Sequence, residues 1–167
     1  MTPDIHDLMR IVLPKRPRGL VVDTNLLLLY FVGSCDRTAI AFYPKTSKYS
    51  EEDFDVVRKL IEGLSGRVIT SPCILAELGN LSPQHGNKRF AAYFAGLVNV
   101  LGKWGEDYQG KDVVLSSGFV PTIGFSDVSI MQMVKAGGYV LLTDDFRATG
   151  ILRSEGCLVL NLADLRS

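Results

Sequence analysis

The stretch GLVVDTNLLLLYF, Gly19 to Phe31, sets the frame for the whole chain. An apolar run enters Asp23-Thr24-Asn25, and a run of leucines follows at once. A charged residue between two apolar segments is costly to bury unless something pairs with it. Gly19 to Asp23 reads as a short buried strand, and Asn25 to about Val32 as a helix that Gly33 can end. On this pattern Asp23 caps the helix, serves a metal, or does both.

The same alternation continues downstream. Ser34 to Tyr49 reads as largely irregular. Ser50 then opens a helix with Glu51, Glu52 and Asp53 in its first turn, and Gly63 closes it. Arg67 to Thr70 is a second strand, and Ser71-Pro72 begins a helix that carries Glu77. Ser82 to Asn87 is a loop, and Lys88 to about Trp104 a long helix. Gly105 to Gly124 carries the weakest pattern, with one short helix near Asp112 to Ser116. Ser126 is the expected cap of a helix running to Ala136, stopped by Gly137-Gly138. Tyr139 to Thr143 is a third apolar strand ending in Asp144-Asp145. A short helix to Glu155 and a last strand, Leu158 to Asn161, complete the set.

Upstream of Gly19, Ile5, Leu8, Met9, Val12 and Leu13 share a helical face behind Thr2-Pro3. Pro14 to Arg18 is a stiff basic connector. The chain therefore divides into residues 1–18, an N-terminal helix and linker, and residues 19–167, one domain. Apolar strands separated by helices indicate α/β architecture, three layers in the order α/β/α around a central, mostly parallel sheet. In such sheets, sites gather beyond the carboxyl ends of the strands.

Composition narrows the function classes. The chain has 167 residues, with Lys+Arg and Asp+Glu both 18, so a protein that coats nucleic acid by overall charge is excluded. A local basic rim around an acidic site is not. Nothing approaches the roughly 18–20 apolar residues of a membrane helix. Asp4, His6, Asp7 and Arg10 interrupt any secretion signal, so a cytoplasmic protein with no membrane partner is expected. Cys35, Cys73 and Cys157 stand at unrelated spacings and read as reduced thiols; with only His6 and His85 to join them, they do not form a zinc cluster.

The acids carry the chemistry. Asp23 ends the first strand, Asp144 and Asp145 end the third, Asp127 opens the helix leading into it, and Glu77 interrupts an apolar helical face. Right-handed crossovers bring neighbouring parallel strand ends to one edge. Each acid has an ordinary reading: Asp23 as a cap, Asp127 as an answer to the helix dipole, Asp144 and Asp145 as turn residues, Glu77 as a surface glutamate. Together, carboxylates at one edge repel unless a cation joins them, and hard oxygen donors suit Mg²⁺ or Mn²⁺. Metal-dependent phosphodiester hydrolysis is the chemistry such a cluster serves.

VVDTNLLL, SPCILAELGNL, GFSDVSIMQMVK and LLTDDF, in that order, resemble the acidic motifs of PIN-domain nucleases. The resemblance runs through nearly all of the chain from Gly19 onward. It implies that Asp23, Glu77, Asp127 and Asp145 hold one or two divalent ions and the attacking water, with Asp144 an alternative or auxiliary ligand. It implies steadying roles for Asn25, Thr143 and Ser126. The usual substrate is single-stranded RNA, and many small members are VapC-like toxins silenced by an antitoxin. A homodimer is expected from the resemblance and from the surplus apolar surface of the stripe Phe90, Phe94, Leu97, Val98 and Leu101. Unlike compact members, this chain has a helix and basic linker before the first strand and a longer span between Asp23 and Glu77.

Arg37, Lys45, Lys48, Lys88 and Arg89 are candidates to line an RNA path, with Tyr43, Tyr49 or Tyr93 for base stacking. Cys73 reads as a small core filler. A phosphoacceptor receiver domain would need paired acids before the first strand end and a late lysine, which VVDTN and LLTDD do not supply. A noncatalytic module that binds RNA or protein on the same fold is the alternative to the nuclease.

Overall fold

A computed structural model describes Arg10 and residues 13–166, except for the side chain of Ser65. The expected N-terminal helix lies largely outside the described residues. Of the basic connector, Leu13–Lys15 form a 3-10 turn, and the Arg18 amide donates to the Gly138 carbonyl at 2.9 Å.

Strands β1 (Leu20–Val22), β2 (Val68–Thr70), β3 (Gly105–Glu106), β4 (Val140–Thr143) and β5 (Leu158–Asn161) form one sheet in the order β3-β2-β1-β4-β5. Every pairing is parallel. The registers Leu20↔Val68 and Leu20↔Val140 place β1 between β2 and β4, with all three residues of β1 buried. Strands buried on both faces must be apolar throughout, which explains the unbroken Leu-Val-Val and Val-Leu-Leu runs. Each fully buried leucine or valine in them contributes about 1.5–3 kcal/mol over an exposed one.

Helix α1 (Thr24–Cys35) follows β1 and is the central helix. Its residues from Leu26 to Gly33 are all buried, because α2 (Glu51–Gly63), α3 (Pro72–Leu81), α4 (Tyr93–Leu101) and the 3-10 turn Arg37–Ala41 surround it. A helix covered on every side must be apolar on every side. Short α5 (Lys111–Leu115) leads into α6 (Val120–Gly137), and α7 (Phe146–Ser154) joins β4 to β5. Helix α6 packs on α5 and α7, and α7 packs on β5, so the architecture is three-layered α/β/α as expected.

Most helix starts follow their sequence signals. Ser50 and Asp53 form a reciprocal capping box, and the Ser71 hydroxyl accepts from the Ile74 amide ahead of Pro72. Four expectations need correction. Gly33 does not end α1; it lies inside it, because a Cβ there would meet the Phe54 ring at 2.5 Å. The expected long helix from Lys88 is broken into a 3-10 turn, Lys88–Phe90, and α4; the break lets Phe90 and Tyr93 stack edge to face at 6.2 Å. A fifth strand, β3, exists inside the weakly patterned region. Ser126 is not a cap: α6, Val120–Gly137, is two helical segments joined across non-helical Gly124, and Ser126 lies just inside the second, close to the expected start.

Helix α4 leaves apolar surface uncovered. Phe94 and Val98 are 41% and 65% exposed, beside a half-open apolar cavity of about 290 Å³ between α1 and α4. Among the described residues, no helix is long and apolar enough to cross a membrane.

The Gly33–Phe54 contact yields a direct test. Gly33→Ala forces the Phe54 ring or α2 to shift, and overpacking of this kind costs about 1–3 kcal/mol. Chemical denaturation of the variant is expected to show that loss; an unchanged midpoint would mean the two helices are not locked at this crossing.

Candidate active site

The chain order reverses at β1. Strands β2 and β3 extend the sheet to one side, β4 and β5 to the other. The crevice between β1 and β4, beyond their carboxyl ends, is therefore the topological switch point, the usual ligand site of an open parallel sheet. Asp23 follows β1 and Asp144-Asp145 follow β4, so register alone brings these acids together.

Asp23 serves both candidate roles. Its Oδ1 accepts from the Leu26 amide at 3.0 Å and caps α1, while its Oδ2 accepts from the Thr143 hydroxyl and from the Asp144 amide at 3.2 Å. Thr143, buried at the end of β4, also accepts from the Asp145 amide at 3.1 Å and so connects both acidic segments. Burial, and then the charge of Asp144, push the Asp23 pKa up to about 7.

Glu77 reaches the site from α3. Its Oε2 accepts from the hydroxyl of buried Thr24 at 3.1 Å. Asp127, on α6, has no hydrogen bond opposing its desolvation among the described residues. Burial, followed by the charges of Asp145 and Glu77, raises its pKa to about 6. Asp145 is exposed and caps α7 by accepting from the Ala148 amide at 2.9 Å. Asp144 Oδ2 accepts from Lys48 Nζ and from the Tyr49 hydroxyl, both at 2.6 Å. The five acids thus share one edge: Asp23 feels Asp144, and Asp127 feels both Asp145 and Glu77.

The expected auxiliary residues fare differently. Thr143 steadies Asp23 directly. Ser126 Oγ lies 3.4 Å from Cys73 Sγ, tying α6 to α3 and hence Asp127 to the Glu77 helix; Cys73 is accordingly a contact between helices rather than a core filler. Asn25 is exposed and makes no hydrogen bond to the acids among the described residues. The stacking candidates are not available. Tyr93 is 2% exposed with its hydroxyl 2.8 Å from Ser82 Oγ, Tyr49 is 6% exposed, and Tyr43 donates to the Leu81 carbonyl. Arg37 is held by Glu51 and Asp55, and Arg89 by Asp36.

The exposed aromatics near the acids are Phe125 and Phe146, two residues before Asp127 and directly after Asp145. Gly124, at φ 85°, kinks α6 just before Phe125 in a conformation that favours glycine. On the near side of that kink, Thr122 and Ile123 line a crevice of about 180 Å³ with Asp127, Asp145, Arg147 and Ala148. Sequence pattern gave no reason to single out Phe125, Phe146 or Arg147, since a phenylalanine near an apolar run reads as core.

Among the described residues, no group of three or more acid, histidine or cysteine side chains is gathered tightly enough to hold an ion as it stands. The donor set nevertheless fits a hard cation in kind. It is all oxygen, and Asp127, half-buried, is set against two other carboxylates, with no compensating hydrogen bond among the described residues. Comparison with family models, with curated proteins and with solved structures finds no match to this chain.

The raised acids fix the sign of a pH effect. Above the ordinary carboxylate value of 3.8, the folded form keeps protons on Asp23 and Asp127 that the unfolded form has lost. Stability is therefore expected to fall as pH rises from about 4 to about 7, by on the order of a few kcal/mol without divalent ions. Thermal unfolding across that range checks it, with Asp127→Asn expected to flatten the curve between about pH 4 and about 6 and to leave the last part, set by Asp23, in place; a flat wild-type profile would remove the repulsion.

Proposed function

We propose that this chain is a Mg²⁺- or Mn²⁺-dependent endoribonuclease of the PIN-domain kind, hydrolysing phosphodiester bonds of single-stranded RNA. The observation that carries the reading is the placement of Asp23 beside Asp144 and of Asp127 beside Asp145 and Glu77, from four separate elements, along the edge at the switch point between β1 and β4. Acids placed only to cap helices would not need to repel one another across α3, α6 and α7.

Asp127, Glu77 and Asp145 are the residues that would hold a cation, with Asp23 and Asp144 on the β1–β4 side. When bound, such an ion supplies an acidified water and neutralises charge on the phosphoryl oxygens. The protein contributes orientation. Thr143 turns Asp23 Oδ2 toward β4, and Thr24 fixes Glu77 Oε2 from beneath. Beyond burial, repulsion from Asp145 and Glu77 helps raise the Asp127 pKa to about 6 in the ion-free protein, and a bound cation would relieve that repulsion. Arg147 lines the acidic crevice and supplies a cation for a phosphate. Phe125 and Phe146, 62% and 70% exposed, offer flat apolar faces to unstacked bases, which supports a single-stranded substrate.

A role as the toxin of a toxin–antitoxin pair belongs to the same proposal and requires a partner that covers this edge. The second reading, a noncatalytic RNA- or protein-binding module, draws on two observations: Asp144 is already engaged by Lys48 and Tyr49, and no ready-made ion cage is present among the described residues.

A cleavage assay separates these readings, and a binding assay tests the base-stacking face. Labelled single-stranded RNA incubated with Mn²⁺ is expected to be cut by the wild type, and about 10²–10³-fold more slowly by Asp127→Asn or Asp23→Asn, as when a key charge-stabilising group is lost. Cleavage that persists in both variants and in EDTA would eliminate the mechanism; metal-independent binding without turnover would favour the module. Phe146→Ala is expected to weaken RNA binding by about 1–3 kcal/mol for one lost stacking contact, read by fluorescence anisotropy.

A further inference from the structure

The segment between α1 and α2 lengthens the span from Asp23 to Glu77, and the proposed reaction leaves it without a task. It is built firmly. Ala39, Ile40, Thr46 and Tyr49 are buried, and Thr46 Oγ1 ties its turn by donating to the Ile40 carbonyl at 3.0 Å. Its far end carries Lys48 onto the acid cluster. The Lys48 ammonium lies 2.6 Å from Asp144 Oδ2 and 4.8 Å from the centre of the Tyr49 ring.

A second cation, Arg166, stands nearby but is committed elsewhere. Its guanidinium holds Asp53 with two bonds, at 2.8 and 2.9 Å, and Asp53 is 5% exposed. A two-bonded pair on a buried carboxylate is hard to separate. Lys48 differs on both counts. It offers a compact point charge on a flexible stem, and its side chain is 57% exposed. Tyr49 donates to the same oxygen of Asp144, so that carboxylate keeps a partner when the ammonium leaves. The contact is built to hold and to let go.

We propose that Lys48 is the resident counter-ion of the acid cluster, occupying the cation's side of Asp144 and yielding it when a divalent ion binds. This rests on the divalent-cation reading of the acids and adds an internal competitor to it. Lys48 lowers the mutual repulsion of Asp23 and Asp144 in the ion-free protein, and it sets a threshold that a divalent ion must exceed. Once displaced, the ammonium remains on the Tyr49 face beside the acids.

The test is calorimetric titration of Mn²⁺ into the wild type, Lys48→Met and the exposed control Lys45→Met. Methionine keeps an apolar stem over Tyr49 and removes only the charge, so the fold is retained. Mn²⁺ is expected to bind Lys48→Met about two- to fivefold more tightly than wild type, the range for loss of one competing, solvent-exposed ion pair. Lys45→Met should match the wild type. Binding detectable only in Lys48→Met would support the proposal in stronger form. Equal or weaker binding by Lys48→Met, or equal tightening in the Lys45 control, would overturn the counter-ion role and leave the metal site standing. Absence of Mn²⁺ binding from all three proteins would overturn both.

Discussion

The carboxylate of Asp23 faces two ways, and the arrangement of the site depends on that division. One oxygen caps the buried helix α1, and the other is held by the hydroxyl of Thr143 and the amide of Asp144. The first bond orients the central helix against the sheet. The second joins the ends of β1 and β4 across the crevice. A residue that served only as a cap would leave the β4 end unattached, and one that served only the crevice would leave α1 with an unanswered amide. Having both bonds on one side chain couples the core to the acidic edge.

That coupling costs something, and the cost is visible in the charge distribution. Asp23 and Asp127 both hold protons more tightly than ordinary carboxylates, chiefly because they are withdrawn from water. Elsewhere on the molecule, acids are answered in place: Asp55 by Arg37, Asp36 by Arg89, Asp53 by Arg166. Partners hold those three carboxyls below the ordinary range. Among the described residues, the raised carboxyls Asp23 and Asp127 both lie at the acidic edge, the kind of charge distribution that stability alone would not select.

Much of this was legible in the sequence because the signals were local. Asp-Thr-Asn after an apolar strand, Ser50 with Asp53, and Ser71-Pro72 each act within a few residues, and right-handed crossovers bring parallel strand ends to one edge. The unreadable parts had non-local causes. Gly33 is set by a ring on another helix, so it resembles a helix stop. Strand β3 is two residues long and begins with Gly105, whose absent Cβ gives room to Ile69; no strand propensity marks it. Tyr43, Tyr49 and Tyr93 carry polar tips that suggest a surface role, yet the fold turns them inward, while Phe125 and Phe146 face outward. Lys48 and Asp144 lie 96 positions apart, and no spacing rule joins them.

The long reach of these contacts also bears on how the protein comes into being. Thr143 and Asp23 are 120 positions apart, and β1 lacks its β4 neighbour until that strand has left the ribosome. Helices α1 to α4 and strand β2 can gather earlier, but one flank of β1 stays open while they do. The acidic edge thus forms only after β4 has been made. A nascent chain that stops short of β4 has a partial core and lacks the Asp23–Thr143 bond that joins the two sides of the crevice.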